Sequence, residues 1–173
     1  MTNDISVVML GAGKSLRFNS KTIKQNYKIN NKSILNYSRD FFKKHFSNSQ
    51  SYLVINEKVK IDKLCKNENI IMGSSTRTKS LNNCLKYIYD NNLKTKYTLV
   101  HDVARPILNI FDIKLLIEEM KRNYDGSSLG YPITNALKEV RKGVVQNNIL
   151  RDNLWSSFTP QIFKTEKLNQ SVK

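Results

Sequence analysis

Cysteine and proline are scarce in this chain of 173 residues, which has 2 Cys and 3 Pro. The two cysteines, Cys65 and Cys84, are too few for a disulfide framework and lack the spacing of metal ligands, so we expect both to be reduced. Apolar residues make up 39% of the chain, and a chain of this length can bury a full core. We therefore expect one folded domain over residues 1–173.

Long hydrophobic runs are also absent. No segment reaches the roughly 18 apolar residues that a membrane span requires, so we expect no membrane partner. The N-terminal stretch MTNDISVVML has no basic region before its short apolar run, which argues against a signal peptide. These observations favour a cytoplasmic protein.

Acidic residues are few, with 14 Asp and Glu against 29 Lys and Arg, and the net charge is +15. The lysines are scattered along nearly every segment, and no motif combines them with aromatic residues for base recognition. We therefore expect no nucleic-acid partner. The charge does favour small anionic ligands, because a positive field raises their local concentration.

Short apolar runs alternate with helical patterns, which predicts an α/β fold with a mainly parallel sheet. Helices are expected to begin at Ser33, near Thr76, and at Asn109 or Asp112. A last helix should follow Lys164. Strands are predicted at residues 5–10, 52–55, 70–72 and 97–100, with one more central strand at 129–133.

The pattern changes after residue 127. Residues 137–140 and 144–145, on either side of Gly143, resemble a small exposed hairpin. We call the segment of about residues 134–150 the arm. A lone two-stranded hairpin is marginal in water, so we expect the arm to pack against a partner subunit.

The stretch LGAGKSLRF, residues 10–18, follows the first predicted strand and is suited to phosphate binding. A P-loop would need a glycine where Val8 stands, and a dinucleotide fingerprint would need one where Leu16 stands. Two interpretations remain open on these residues. The segment is either an ordinary glycine turn or a nucleotidyltransferase loop with Arg17 as its cation.

Motifs later in the chain favour the nucleotidyltransferase loop over an ordinary glycine turn. In order and spacing they resemble the 2-C-methyl-D-erythritol 4-phosphate cytidylyltransferases of the non-mevalonate isoprenoid pathway, and the resemblance covers essentially the whole chain. The motifs are KQ at 24–25, GSSTRTKSL at 73–81, HDVARP at 101–106, RDNLW at 151–155 and TPQ at 159–161. The resemblance implies a Rossmann-like nucleotide-diphospho-sugar transferase fold, with helices on both faces of a mostly parallel sheet and a protruding β-hairpin arm.

The implied reaction joins CTP to 2-C-methyl-D-erythritol 4-phosphate and releases pyrophosphate. Two alternatives stay open: another polyol phosphate such as ribitol 5-phosphate as the acceptor, or a nucleotide-binding protein with weakened catalysis. By resemblance, Arg17 and Lys24 would be the catalytic cations. The nucleotide would be bound by Gly11, Ala12, Gly13, Ser15, Gly73, Ser74, Ser75, Ser80 and Ala104.

The resemblance also implies an acceptor site and a homodimer. Asp102 and Arg105 would bind the acceptor, and Asp102 would also bind Mg²⁺, which prefers oxygen ligands. Lys138 lies in the arm and Arg151 directly follows it, and Arg151 would reach the acceptor phosphate in the neighbouring subunit. The resemblance implies a homodimer formed through the arm.

At several positions this sequence differs from the pattern that the resemblance implies. Ser15 and Ser74 stand where glycine is usual, and Ala136 stands where a threonine is common. A serine restricts the turn, because its Cβ disfavours a positive φ. Relatives are expected to continue beyond the position of Lys173 with a second catalytic lysine. We therefore expect either a truncated chain or a shortened family member of altered activity.

Overall fold

A computed structural model of the chain describes residues 4–15, 18, 22–61 and 68–172. Its strands, in chain order, are β1 (Ile5–Leu10), β2 (Lys28–Ile29), β3 (Lys32–Ser33), β4 (Ser51–Ile55), β5 (Glu68–Met72), β6 (Tyr97–Asp102), β7 (Gly126–Pro132), β8 (Leu137–Arg141), β9 (Val144–Ile149) and β10 (Trp155–Lys164). Its α-helices are α1 (Ile34–His45), α2 (Arg77–Asp90), α3 (Ile110–Glu119) and α4 (Thr165–Ser171). Short 3-10 helices cover Lys24–Asn26 and Met120–Arg122.

Six strands form the main sheet in the order β5-β4-β1-β6-β10-β7. β1 pairs in parallel with β4 and β6, and β4 pairs in parallel with β5. β10 is antiparallel to both of its neighbours. The predicted α/β class with a mostly parallel sheet is confirmed.

β1 is buried on both faces because it lies in the middle of this sheet. Ile5, Val7 and Met9 belong to one core cluster, and Val8 and Leu10 belong to the other. A continuous apolar run is therefore what this position requires. The run ends where the chain leaves the sheet at Gly11.

The helices cover both faces of the sheet. α1 and α3 pack on the first core through Phe42 and Ile113, and α2 and α4 pack on the second through Leu85 and Leu168. No helix within the described residues is long and apolar enough to span a membrane.

Three helix starts agree with the sequence predictions. Ser33, Thr76 and Asn109 are the residues before α1, α2 and α3, and their side chains accept hydrogen bonds from first-turn backbone N–H groups at 3.2, 3.1 and 2.9 Å. Such caps satisfy N–H groups that have no partner inside the helix.

The prediction of a central strand at residues 129–133 is wrong. The observed strand, β7, runs over Gly126–Pro132 and lies at the edge of the sheet. The place beside β6 is taken by β10, which returns antiparallel between β6 and β7. An apolar run indicates a strand, but neither its burial nor its place in the sheet, because the order of strands depends on pairings made later in the chain.

The predicted hairpin is confirmed. Among the described strands, β8 and β9 pair only with each other, in a separate two-stranded sheet. Lys142 and Gly143 have φ of 49° and 79° at the tip, as a tight hairpin turn requires. A hydrogen bond of 3.0 Å from the N–H of Ile133 to the carbonyl of Leu154 closes the base of the arm.

Candidate active site

The candidate site lies at the carboxyl ends of the parallel strands, where open α/β sheets place ligands. In the register of β1 and β6, Leu10 pairs with Asp102. The glycine loop that follows β1 and the motif at the end of β6 therefore start side by side. The N–H of Val103 donates to the carbonyl of Leu10 at 3.0 Å, which extends this contact by one residue.

Two amide side chains hold the backbone of the glycine loop. The buried Gln25 donates from Nε2 to the carbonyls of Gly11 and Gly13, at 2.8 and 2.9 Å. Asn56 donates from Nδ2 to the carbonyl of Ala12 at 2.9 Å. Three successive carbonyl groups are thus drawn towards the protein.

In a trans peptide the N–H of the next residue points opposite to the carbonyl. The N–H groups of Ala12, Gly13 and Lys14 consequently face away from Gln25 and Asn56. Within the described part of the chain these three N–H groups donate to no protein acceptor. Consecutive free N–H groups form a concave donor set for an anion such as a phosphate.

Ser15 connects this loop to the segment of Lys24. It has a φ of 55°, in the left-handed region, and its hydroxyl donates to Gln25 Oε1 at 3.0 Å. Ser15 Oγ also accepts the backbone N–H of Lys24 at 3.1 Å. Ser15 thus adopts the turn expected of a glycine and adds two hydrogen bonds that a glycine could not make.

One of the two predicted catalytic cations, Lys24, lies within the described residues. Lys24 begins the 3-10 helix Lys24–Asn26 and is half-buried. Its ammonium makes no salt bridge with any described carboxylate, which leaves it available to a ligand. Arg17 lies outside the described residues.

A second loop, which runs from Gly73 to Thr76 after β5, touches the first. A Cβ built on Gly73 would lie 2.2 Å from the Cβ of Ala12, so only glycine allows this approach. Ser80 is buried; its hydroxyl accepts the N–H of Ser74 at 2.9 Å and donates to the Ser74 carbonyl at 3.3 Å. Ser80 therefore shapes the loop from inside, while Ser74 and Ser75 are exposed.

Asp102 lies between two arginines. Arg77 donates from Nε to Asp102 Oδ1 at 2.9 Å, while Arg105 Nε is 3.9 Å from Oδ2. Arg105 is exposed, and the half-buried Ala104 separates it from the end of β6. The contact of Arg77 with Asp102 was not predicted, because the sequence does not show that α2 begins beside the end of β6.

Behind Asp102, His101 is fully buried. Burial lowers the pKa of His101 to about 4, because the charged imidazolium would lose its hydration. The ring contacts Ser38 and Thr159. The burial of the ring therefore favours a structural role for this imidazole.

Lys138 and Arg151 are not brought to the loops of their own chain. Lys138 lies in β8 and donates to Asn148 Oδ1 of β9. Arg151 follows β9 and donates to the carbonyl of Thr134 at the base of the arm. Both bonds therefore lie in the arm or at its base.

Comparison with known proteins gives a consistent result. The family model described as 2-C-methyl-D-erythritol 4-phosphate cytidylyltransferase matches residues 5–173. The enzyme of that name from Wigglesworthia glossinidia brevipalpis is 31% identical, over 98% of this chain and 75% of its own length. The bifunctional enzyme IspD/IspF of Pelagibacter ubique is 35% identical, over 93% of this chain and 43% of its own length.

Solved structures agree on the fold. The Francisella tularensis 2-C-methyl-D-erythritol 4-phosphate cytidylyltransferase superimposes with a TM-score of 0.80 at 26% identity, over 97% of this chain and 76% of that chain. The bifunctional IspDF from Campylobacter jejuni gives a TM-score of 0.81 at 25% identity, over 98% of this chain and 43% of that chain.

Proposed function

The chain belongs to the 2-C-methyl-D-erythritol 4-phosphate cytidylyltransferase family, a family of nucleotidyltransferases, and we propose that it transfers the cytidylyl group of CTP to 2-C-methyl-D-erythritol 4-phosphate in isoprenoid precursor synthesis. The observation that carries this proposal is the glycine loop held open by Gln25 and Asn56. It offers backbone donors to a triphosphate beside Lys24.

The chemistry needs cations more than a base. A phosphate monoester has a second pKa near 6 and is mostly a dianion at neutral pH. One of its oxygens attacks the α-phosphorus of CTP, a new O–P bond forms, and the bond to the β-phosphate oxygen breaks as pyrophosphate leaves. The protein has to bring two anions together and offset the charge that develops.

The described residues suit these tasks. The N–H groups of Ala12, Gly13 and Lys14 would bind the triphosphate, and Lys24 would offset charge on the α-phosphate, with Arg17 as its partner. Ser74 and Ser75 lie exposed on the loop that Gly73 brings against Ala12, which supports a role in binding the cytidine. Arg105 is exposed and lies 3.9 Å from Asp102 Oδ2, which supports a role for the two side chains in binding the acceptor together.

Magnesium is a further part of the proposal. Mg²⁺ prefers oxygen ligands and commonly takes one or two carboxylates together with substrate phosphates. The described residues contain no group of three or more His, Cys, Asp or Glu that could hold a metal by themselves, but Asp102 supplies one carboxylate at the site and so fits such shared binding. Bound there, Mg²⁺ would supply positive charge to the triphosphate.

We also propose a homodimer formed through the arm. The arm exposes Val140, Val144, Val145, Ile149 and Leu150, a concentration of apolar side chains that is typical of a surface covered by a partner. Arg151 and Lys138 would then act on the acceptor phosphate of the neighbouring subunit. The cytoplasm is the proposed compartment, because the buried Cys84 is a free thiol and free thiols are typical of reducing compartments.

Pyrophosphate release tests the proposal. CTP with 2-C-methyl-D-erythritol 4-phosphate and Mg²⁺ should give pyrophosphate and the cytidyl-diphosphate product, whereas ribitol 5-phosphate should react far more slowly. Faster turnover with ribitol 5-phosphate would contradict the proposed acceptor. CTP binding without turnover on either acceptor would contradict the proposed reaction.

A further inference from the structure

Asn26 joins the short 3-10 helix that carries Lys24 to the turn that follows β4. Its side-chain Nδ2 donates to the carbonyl of Lys58 at 2.9 Å, and its Oδ1 accepts the backbone N–H of Lys60 at 3.0 Å. One amide group thus uses both a donor and an acceptor on the same backbone segment, as the backbone of a neighbouring strand would. Such a pair fixes the orientation of the amide as well as its position.

The partner of Asn26 is itself firmly held. We call residues 56–60 the β4 turn. The N–H of Val59 donates to the carbonyl of Asn56 at 3.1 Å, and the N–H of Lys58 donates to Asn56 Oδ1 at 2.9 Å. The side chain of Val59 is buried in the first core cluster, and Asn56 Nδ2 donates to the carbonyl of Ala12 at 2.9 Å. The β4 turn is therefore fixed both to the core and to the glycine loop.

The 3-10 helix Lys24–Asn26 is attached at both of its ends. At its first residue, the N–H of Lys24 donates to Ser15 Oγ at 3.1 Å. At its last residue, the Asn26 side chain holds the β4 turn. A helix of a single turn is unfavourable by itself, because it fixes several backbone dihedrals for few hydrogen bonds. The position of the Lys24 backbone therefore depends on these attachments.

We propose that Asn26 is a positioning residue that fixes the segment from which Lys24 reaches the triphosphate. The inference rests on the proposed function of Lys24. A cation offsets charge in the transition state most effectively when it is already in place, since a mobile one has to be ordered in every reaction cycle. Loss of Asn26 should therefore slow the chemical step, while the N–H groups of the glycine loop continue to bind CTP.

Replacement of the Asn26 amide tests the proposal. Asn26→Leu keeps the size of the side chain and removes both hydrogen bonds, and we expect kcat for pyrophosphate release to fall about tenfold. The KM values for CTP and for the acceptor should change less than about twofold. Asn26→Ala, which adds no apolar surface, should have the same effect. An unchanged kcat in both variants would overturn the proposal.

Asn91→Leu is a matched control. Asn91 Nδ2 also donates to a backbone carbonyl, that of Tyr87, at 2.8 Å. Asn91 directly follows α2, whose first residue lies beside the site, and a helix of 14 residues is about 21 Å long. The kcat of Asn91→Leu should equal that of the wild type. An equal fall in this variant would overturn the proposal, because it would indicate general destabilisation.

A double-mutant cycle separates positioning from a merely structural effect. If Asn26 acts on the rate through Lys24, Asn26→Leu should cost less than about twofold in kcat when Lys24 is already alanine, because the group that it positions is gone. A further fall of about tenfold in the double variant would overturn the proposal, since Asn26 would then act by another route.

Amide hydrogen exchange gives a readout that does not need turnover. The N–H of Lys24, which donates to Ser15 Oγ, should exchange about fivefold faster in Asn26→Leu, because the segment opens more often when one attachment is lost. Its exchange should be unchanged in Asn91→Leu. Unchanged exchange at Lys24 in folded Asn26→Leu would overturn the positioning role. Absence of wild-type turnover would instead count against the proposed function, and the exchange result would still decide this inference.

Discussion

The hydroxyl of Ser15 donates to Gln25 Oε1 at 3.0 Å, and the amide nitrogen of the same Gln25 holds two carbonyls of the glycine loop. One buried glutamine thus determines the shape of the loop from both of its ends. Ser15, at a position where the resemblance led us to expect glycine, is part of this arrangement. Hydrogen bonds from within the protein thus hold the loop, and such pre-organisation lowers the entropy that nucleotide binding must overcome.

Gln25→Ala should weaken CTP binding at least tenfold, because the carbonyls of Gly11 and Gly13 lose their donors and the neighbouring N–H groups are no longer held in one orientation. Isothermal titration calorimetry with CTP measures the effect. Asn91→Ala is the control, since it removes an amide-to-carbonyl bond of 2.8 Å, to Tyr87, outside the site. Equal CTP affinity in Gln25→Ala and the wild type would contradict this role.

Substitutions of Ser15 should separate its hydrogen bonds from its backbone conformation. Ser15→Gly loses both bonds but favours the positive φ, whereas Ser15→Ala loses them and keeps a Cβ in a region that costs about 1 kcal/mol. The expected order of CTP affinity is wild type, then Ser15→Gly, then Ser15→Ala. Ser15→Ala binding CTP as tightly as the wild type would show that the hydroxyl is not used.

Lys24→Ala should lower the rate of pyrophosphate release by about 10²–10³, the range found when one charge-stabilising group is lost. The CTP affinity should fall much less, because the loop N–H groups remain. Lys28→Ala is the control: this exposed lysine lies four residues further on, so its loss changes the net charge equally. A similar loss of rate in both variants would point to overall charge rather than to a catalytic ammonium.

Because the exposed surface of the arm is apolar, we expect that a charged side chain introduced there will prevent dimer formation. Val144→Lys, at a side chain that is 61% exposed, should convert a dimer into a monomer, because a buried unpaired ammonium opposes association. Light scattering after size-exclusion chromatography measures the mass. Leu115→Lys on α3, at a side chain 64% exposed, should leave the mass unchanged. A monomeric wild type would contradict the proposed dimer.

Mixed dimers test the action of Arg151 across the interface. Arg151→Ala and Lys24→Ala protomers should each have low activity alone. A dimer of one protomer of each kind should recover part of the activity, because one of its sites keeps both Lys24 and the partner's arm. Lack of recovery in purified mixed dimers would show that Arg151 does not act in the neighbouring site.

Local features were largely predictable. The apolar run of β1, the caps Ser33, Thr76 and Asn109, and the hairpin around Gly143 follow from burial, capping and turn geometry over a few residues. The motifs along the chain indicated the family, and the family model confirms it. The roles assigned to individual site residues stay predictions that the variants above can test.

Long-range contacts were not predictable from these patterns. The side chain of Gln25 reaches back 12 and 14 positions to its carbonyls, and Thr159 lies 57 positions from Asp102. Neither spacing has a periodicity that a local pattern can show. The same holds for the position of β7 at the sheet edge, which depends on the later insertion of β10.

The sequence by itself determined many of the strands, helices and turns, though not β2, β3 or β10, because hydrophobic periodicity, helix capping and turn preferences act between near neighbours. Only the tertiary structure decided that Gln25 and Asn56 turn the loop carbonyls inward, that Arg77 meets Asp102, and that Thr159 and His101 stand behind it. The physical reason is that these hydrogen bonds and ion pairs join residues that the packing of the helices and strands brings together.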